Sequence, residues 1–332
     1  MFRTFRIATY ASLLALSGGF AATATAAELN VVASFSIIAD FAKNVGGERV
    51  EVKTLVGPDG DAHVYEPRPA DAVALEAANV VLVNGLEFEG FMKRLIETSG
   101  TKAPVVEVTK GIEPLKAEEE GHHHDEKAGE AGHNHEGDEK EEAGHDHAHE
   151  GHHHHGEFDP HAWQSIHNAE IYVKNIADAF CEADKAGCAT YTANADAYVA
   201  KLEDLEKEVK TAIEGIPADK RTVITSHDAF GYFEHEYGLK FIAPEGISTE
   251  AEASAADVAK LIDQVKEDKA SAIFLENITN PRLIEQISAE TGIKVGGTLY
   301  SDALSGEDGP ASTYLDMFRY NVETLKAAIV GS

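Results

Sequence analysis

The sequence predicts an α/β protein of two lobes, each a mainly parallel sheet flanked by helices, joined by one long rigid helix. Two observations carry this: short apolar runs alternate with helical patterns in two separate series, and an uninterrupted amphipathic stretch lies between them. A third observation marks the exception, a polar segment from Lys116 to Gly156 that fits neither pattern.

In the first series LNVVASF (29–35), VEVKTLV (50–56), NVVLVNG (79–85) and APVVEV (103–108) read as strands, and segments such as PADAVALEAA read as helices. Nearly continuous apolar strands separated by helices belong to parallel sheets covered on both faces. The second series comprises RTVITSH (221–227), LKFIAPE, SAIFLEN and GIKVGGTLY. A helix lies in DVAKLIDQVKED, where Val258, Leu261, Ile262 and Val265 share a face. Between the two series Tyr191, Ala195, Tyr198, Leu202, Leu205, Val209 and Ile213 recur in steps of three and four with no internal Gly or Pro. That predicts one helix of about six or seven turns. The expected division is a signal peptide at 1–26, an N-terminal lobe at 27–186, the connecting helix at 187–214 and a C-terminal lobe at 215–332. A stiff connection predicts small relative motion of the lobes.

The N-terminus carries Arg3 and Arg6, an apolar stretch from Ile7 to Phe20 and small residues ending at Ala26, the pattern of a cleaved secretory signal peptide. With no cysteine at the cleavage site to take a lipid, an unanchored periplasmic protein is expected, with secretion to the medium second. The formal charge of −30 disfavours nucleic acid and anionic lipid and attracts cations. Residues 117–157 concentrate it, with fourteen carboxylates against Lys127 and Lys140. Cys181 and Cys188 are the only cysteines. In an oxidising compartment they suit a disulfide across a turn between helices; the competing reading is a metal or redox pair.

The segment 116–156 cannot bury enough apolar area to offset its ordering entropy and is expected to be a disordered insertion. It holds His122, His123, His124, His133, His135, His145, His147, His149, His152, His153, His154 and His155. Interleaved with carboxylates, these predict weak, exchangeable zinc sites that capture or sense the ion. The competing reading is a tolerated solvated insertion.

Four other places set a ligand-type side chain at a strand end or turn: His63 in VGPDGDAHVYEPRP, His161 in FDPHAWQS, His227 in TVITSHDAFGYF and Asp302 in GGTLYSDALS. Ligands collect beyond the carboxyl ends of strands in open α/β sheets, so these four can converge between the lobes. Three imidazoles and a carboxylate suit tetrahedral Zn²⁺. Taken singly, each His reads as a packing residue and Asp302 as a helix cap. His167 and His235 sit in helical patterns and read as surface or packing histidines.

DAHVYEP, DPHAW, TSHDAFGYF, GISTEAEAS and TLYSDALS follow one another in an order that resembles the solute-binding proteins of bacterial zinc ABC importers, the ZnuA-like group of cluster A-I, and is most similar to its AztC-type members. The resemblance covers essentially the mature chain. It implies metal ligands at His63, His161, His227 and Asp302, and zinc as the transported ion, since manganese-type relatives usually carry Glu where this chain has His227. GISTEAEAS is shared with the manganese branch. Many zinc relatives place a cysteine pair in the C-terminal lobe, so their disulfide does not transfer to Cys181 and Cys188. An ABC permease is the implied partner and a periplasmic zinc chaperone a further candidate; a monomer is expected. The protein is then a carrier and not an enzyme, because four protein ligands close the metal shell. Against it stand a zinc hydrolase or hydratase with an open three-histidine site and Asp302 as base, and a periplasmic zinc buffer or adhesin. Asp302, near Gly296, Gly297 and Gly306, is the expected mobile ligand for release.

Overall fold

The computed structural model describes residues 29–117, 156–251 and 253–331. The segment 1–26 expected as a signal peptide and the twelve histidines from His122 to His155 lie outside the described residues. The first half runs β1 (Leu29–Phe35), α1 (Ser36–Gly46), β2 (Val50–Val56), α2 (Pro69–Glu76), β3 (Val80–Val83), α3 (Met92–Ser99) and β4 (Val105–Glu107). Two helices follow, α4 (Ile166–Ala183) and α5 (Cys188–Glu214). The second half runs β5 (Thr222–Ile224), α6 (Gly231–Tyr237), β6 (Lys240–Ile242), α7 (Ala255–Asp268), β7 (Ala272–Glu276), α8 (Arg282–Thr291), β8 (Val295–Leu299) and α9 (Tyr314–Gly331).

Each half forms a four-stranded parallel sheet, in the orders β2-β1-β3-β4 and β6-β5-β7-β8. Every residue of β3 is buried, as a strand covered on both faces requires, whereas edge strand β2 exposes Glu51 and Lys53. In both sheets the strand order reverses beside the first strand, between β1 and β3 and between β5 and β7. Crevices for ligands open at such switch points.

The seven apolar residues of the α5 face are all buried. This helix is not a bare strut. It forms a hairpin with α4 and also packs against α1 and α9, and α9 returns from β8 to touch α1. Phe41 on α1 meets the rings of Tyr172, Tyr198 and Tyr314 from three different helices. One continuous apolar core therefore runs through both halves, and hinge opening would expose it, at about 25 cal/mol for each Å² of apolar surface.

The α4–α5 turn is closed by a disulfide between Cys181 and Cys188, with Cα atoms 4.4 Å apart. Arg49 reaches Asp184 in the same turn at 2.7 Å. Closing so short a loop removes little unfolded-chain entropy, so replacing both cysteines with serine should cost only about 2 kcal/mol in urea unfolding.

The two flanks of the expected insertion at 116–156 pair with each other. Lys116 pairs with Phe158 in an antiparallel bridge, and Ala117 N–H donates to the Glu157 carbonyl at 3.1 Å. Tyr232 of α6 clamps this base: its hydroxyl accepts from Leu115 N–H and donates to the Asp159 carbonyl, both at 3.0 Å. Lys116 and Ala117 are thus ordered by backbone pairing that their polar composition does not reveal.

Candidate metal centre

Four loops at the carboxyl ends of the strands build one cluster. After β2 the chain turns through Gly57-Pro58-Asp59-Gly60, and Asp61 Oδ1 accepts the His63 N–H at 2.9 Å, fixing the backbone that carries that ring. Asp159 Oδ1 lies 2.7 Å from His161 Nδ1 and accepts the His161 N–H at 2.9 Å. Beyond β5, His227 is held from the neighbouring strand: Glu276, the last residue of β7, accepts the N–H groups of Ser226 and His227 on Oε1 and faces His227 Nδ1 with Oε2 at 2.6 Å. Carboxylates on both Nδ1 atoms leave Nε2 of His161 and His227 as the inward-facing donors.

Asp302 follows β8. Its Oδ2 lies 3.1 Å from His63 Nε2, 3.2 Å from His227 Nε2 and 3.7 Å from His161 Nε2. One ligand atom from each residue falls within 4.8 Å of all the others. Bonds of about 2.0–2.2 Å to a tetrahedral ion require ligand atoms roughly 3.3–3.6 Å apart, so small side-chain shifts suffice. His161, His227 and Asp302 are fully buried and His63 is 8% exposed. His161 Nε2 and Asp302 Oδ1 are buried with no hydrogen-bond partner. Such atoms are costly unless a cation completes them. The walls are apolar: Phe88 meets His63 edge-on at 4.8 Å, and Trp163 meets His161 at 5.3 Å.

The three imidazoles share Asp302 but titrate differently. Burial works against a charged His161, and the carboxylates of Asp302 and Asp159 overcome it, pushing its pKa up to about 9. Against the same burial, Glu276 and Asp302 raise His227 well above the usual imidazole range. His63 has no second carboxylate, and burial outweighs Asp302 and lowers it. Burial would raise Asp302, but His161 and His227 hold it well below the carboxylate range. For a histidine raised in the folded state, the stabilisation is complete below the unfolded value near 6.5 and is lost as pH rises through the folded value. Metal-free protein should therefore lose melting temperature between about pH 6.5 and 9. Metal-loaded protein should not, and calorimetry in buffers of different ionisation enthalpy should show about two protons released per ion near pH 7.5.

The structure brings His63, His161, His227 and Asp302 together, and leaves His167 and His235 exposed on α4 and α6. Sequence reasoning missed Glu276 and Phe88. Glu276 carried a usable signal, a carboxylate closing the apolar strand SAIFLEN. The expectation of a mobile Asp302 disagrees with the geometry. Gly296 and Gly297 lie inside β8 and do not loosen the loop; a Cβ on Gly296 would come within 2.5 Å of Ala328. The Ser301 carbonyl accepts from Trp163 Nε1–H at 2.9 Å and Gln164 Nε2 at 2.8 Å. Leu304 N–H donates to Ser36 Oγ and Asn277 donates to the Ala303 carbonyl.

Two parallel-sheet lobes around a buried nitrogen-and-oxygen cluster define a metal-binding protein of the two-lobed solute-binding class. The chain belongs to the ZnuA family, zinc-uptake complex component A, periplasmic, whose pattern matches residues 31–328. It is 33% identical over 301 residues to the iron-binding protein YfeA of Yersinia pestis, covering 91% of this chain and 86% of that one. It is 30% identical over 323 residues to the iron ABC transporter substrate-binding lipoprotein MtsA of Streptococcus pyogenes, covering 96% and 94%. Among solved structures it resembles the periplasmic zinc-binding protein TroA of Treponema pallidum, with a TM-score of 0.77, 28% identity and coverage of 91% and 99%. The family is one of metal-binding substrate-binding proteins of ABC transporters, which implies a membrane permease as partner. That MtsA is a lipoprotein runs against the expectation of an unanchored chain. Among the described residues no helix is long and apolar enough to cross a membrane.

Proposed function

We propose that this protein captures Zn²⁺ in the periplasm and delivers it to its ABC permease, binding the ion through His63, His161, His227 and Asp302 in the manner of AztC-type members. The observation that carries the choice of zinc is the donor set, three imidazoles and one carboxylate in a buried, apolar-walled cluster with His227 braced by Glu276. Imidazole-rich, four-coordinate sites favour Zn²⁺ over ions that take more oxygen ligands. Placing Asp302 among the ligands supports a carrier over a hydrolase, because a catalytic zinc keeps one position for water. The histidine-rich insertion adds weak capture sites.

Competition decides the metal. Stripped protein offered equimolar Zn²⁺, Mn²⁺ and Fe²⁺ anaerobically should retain one tightly held Zn²⁺ per chain. Retention of Mn²⁺ or Fe²⁺ instead sinks the reading. Deleting 118–155, between the paired flanks, should remove the weak sites and spare the tight one. Loss of tight binding would show the insertion to be part of the primary site.

A further inference from the structure

The four ligands are not equally secured. His161 and His227 each have a carboxylate on the outer nitrogen, from Asp159 and Glu276, and the loop of Asp302 is tied down on both sides of the ligand. Among the described residues no carboxylate touches Nδ1 of His63. This ring is the least buried of the four ligands, and it lines a cleft of about 410 Å³ together with Glu87, Phe88, Ile247 and Glu250. What holds His63 is its backbone. Asp61 accepts the His63 N–H on Oδ1, and its Oδ2 accepts the Thr249 hydroxyl at 2.6 Å. Thr249 belongs to the opposite lip, on the segment that starts at Glu245, whose N–H donates to the Ser226 carbonyl beside His227. One carboxylate thus latches the rim ligand to the other half of the molecule.

We propose that His63 is the exchange ligand: the cation enters and leaves through the cleft over this ring, His63 releases it first, and the Asp61–Thr249 latch sets the rate. The inference rests on the proposed metal reading only in requiring a cation bound by these four residues. Release through His63 leaves the ion on two braced imidazoles and a carboxylate, open toward the cleft for a competing ligand. The acidic rim at Glu87 and Glu250 attracts an incoming cation.

The test is the rate of metal loss from zinc-loaded full-length protein into excess chelator by stopped flow, read beside the association rate and the stoichiometry. Thr249→Val, which removes the latch hydroxyl, should speed dissociation roughly tenfold, the scale of one hydrogen bond to a carboxylate, with one ion per chain retained. Thr249→Ser should restore the wild-type rate, which a purely structural role of the β-branched side chain would not produce. Ser36→Ala, which loosens the Asp302 loop, should speed dissociation less than Thr249→Val does. Equal rates for Thr249→Val and wild type, or a larger acceleration in Ser36→Ala, overturn the inference while leaving the metal assignment intact. If the protein holds Mn²⁺ or Fe²⁺ in place of Zn²⁺, the metal assignment falls, and the same comparison with that ion still decides the exchange ligand.

Discussion

Replacing His227 with alanine should abolish tight metal binding, weakening it by roughly three orders of magnitude or more, since loss even of an outer partner of a metal ligand typically costs 10–100-fold. His227 is the imidazole most completely enclosed by charge, between Asp302 Oδ2 at 3.2 Å and Glu276 Oε2 at 2.6 Å. Its removal deletes a ligand and leaves two buried carboxylates without the cation that joined them. The metal-free variant should also be less stable than wild type at neutral pH, by about 3 kcal/mol, the scale of breaking a buried pair from one side. Glu276→Gln separates the two effects. It keeps the imidazole and one oxygen acceptor, and should weaken binding only about 10–100-fold. Equilibrium competition with a chromogenic chelator, paired with urea unfolding of the stripped proteins, reads both quantities. If Glu276→Gln were as damaging as His227→Ala, Glu276 would be acting as a ligand in its own right.

Trp163→Ala carries the largest expected cost in stability, about 3–5 kcal/mol for truncating a fully buried large aromatic. The side chain is wholly enclosed. Its ring packs at 5.0 Å from Phe35 and 4.8 Å from Phe88, and its Nε1–H donates to the Ser301 carbonyl next to Asp302. The same side chain therefore props the ring of His161 and pins the loop of Asp302, so the variant should lose metal affinity as well as melting temperature. Trp163→Phe restores most of the volume but not the hydrogen bond, and should recover stability more than affinity. Trp163 is also the single tryptophan of the chain, which makes intrinsic fluorescence a direct report on this site. Displacement of the proton on His161 by a metal ion should change its emission. A fluorescence signal unmoved by metal would place the bound ion away from His161.

Much of the fold was legible because it is written locally. The continuous apolar runs of β1 and β3, and the steps of three and four along α5, record burial one turn or one strand at a time. The four ligand positions were legible for a related reason, since each stands in a turn that opens just after a strand or before a helix. The insertion's paired base was not legible. Lys116 and Phe158 are held by backbone hydrogen bonds across a gap of more than forty residues, and side-chain composition carries no sign of such pairing. The tightness of the Asp302 loop was misread from nearby glycines, because the groups that fasten it, Trp163, Gln164 and Ser36, lie more than a hundred residues away.

By itself the sequence determined two parallel α/β halves, a long amphipathic helix between them and four residues able to bind a metal, all consequences of hydrophobic periodicity and turn chemistry over short spans. Only the tertiary structure decided which carboxylate braces which imidazole and which ligand stands at the rim. Those facts depend on strand order, because Glu276 reaches His227 only when β7 lies beside β5, and on loop closures spanning most of the chain. Side-chain contacts between residues far apart in the chain settle such matters, and no local pattern encodes them.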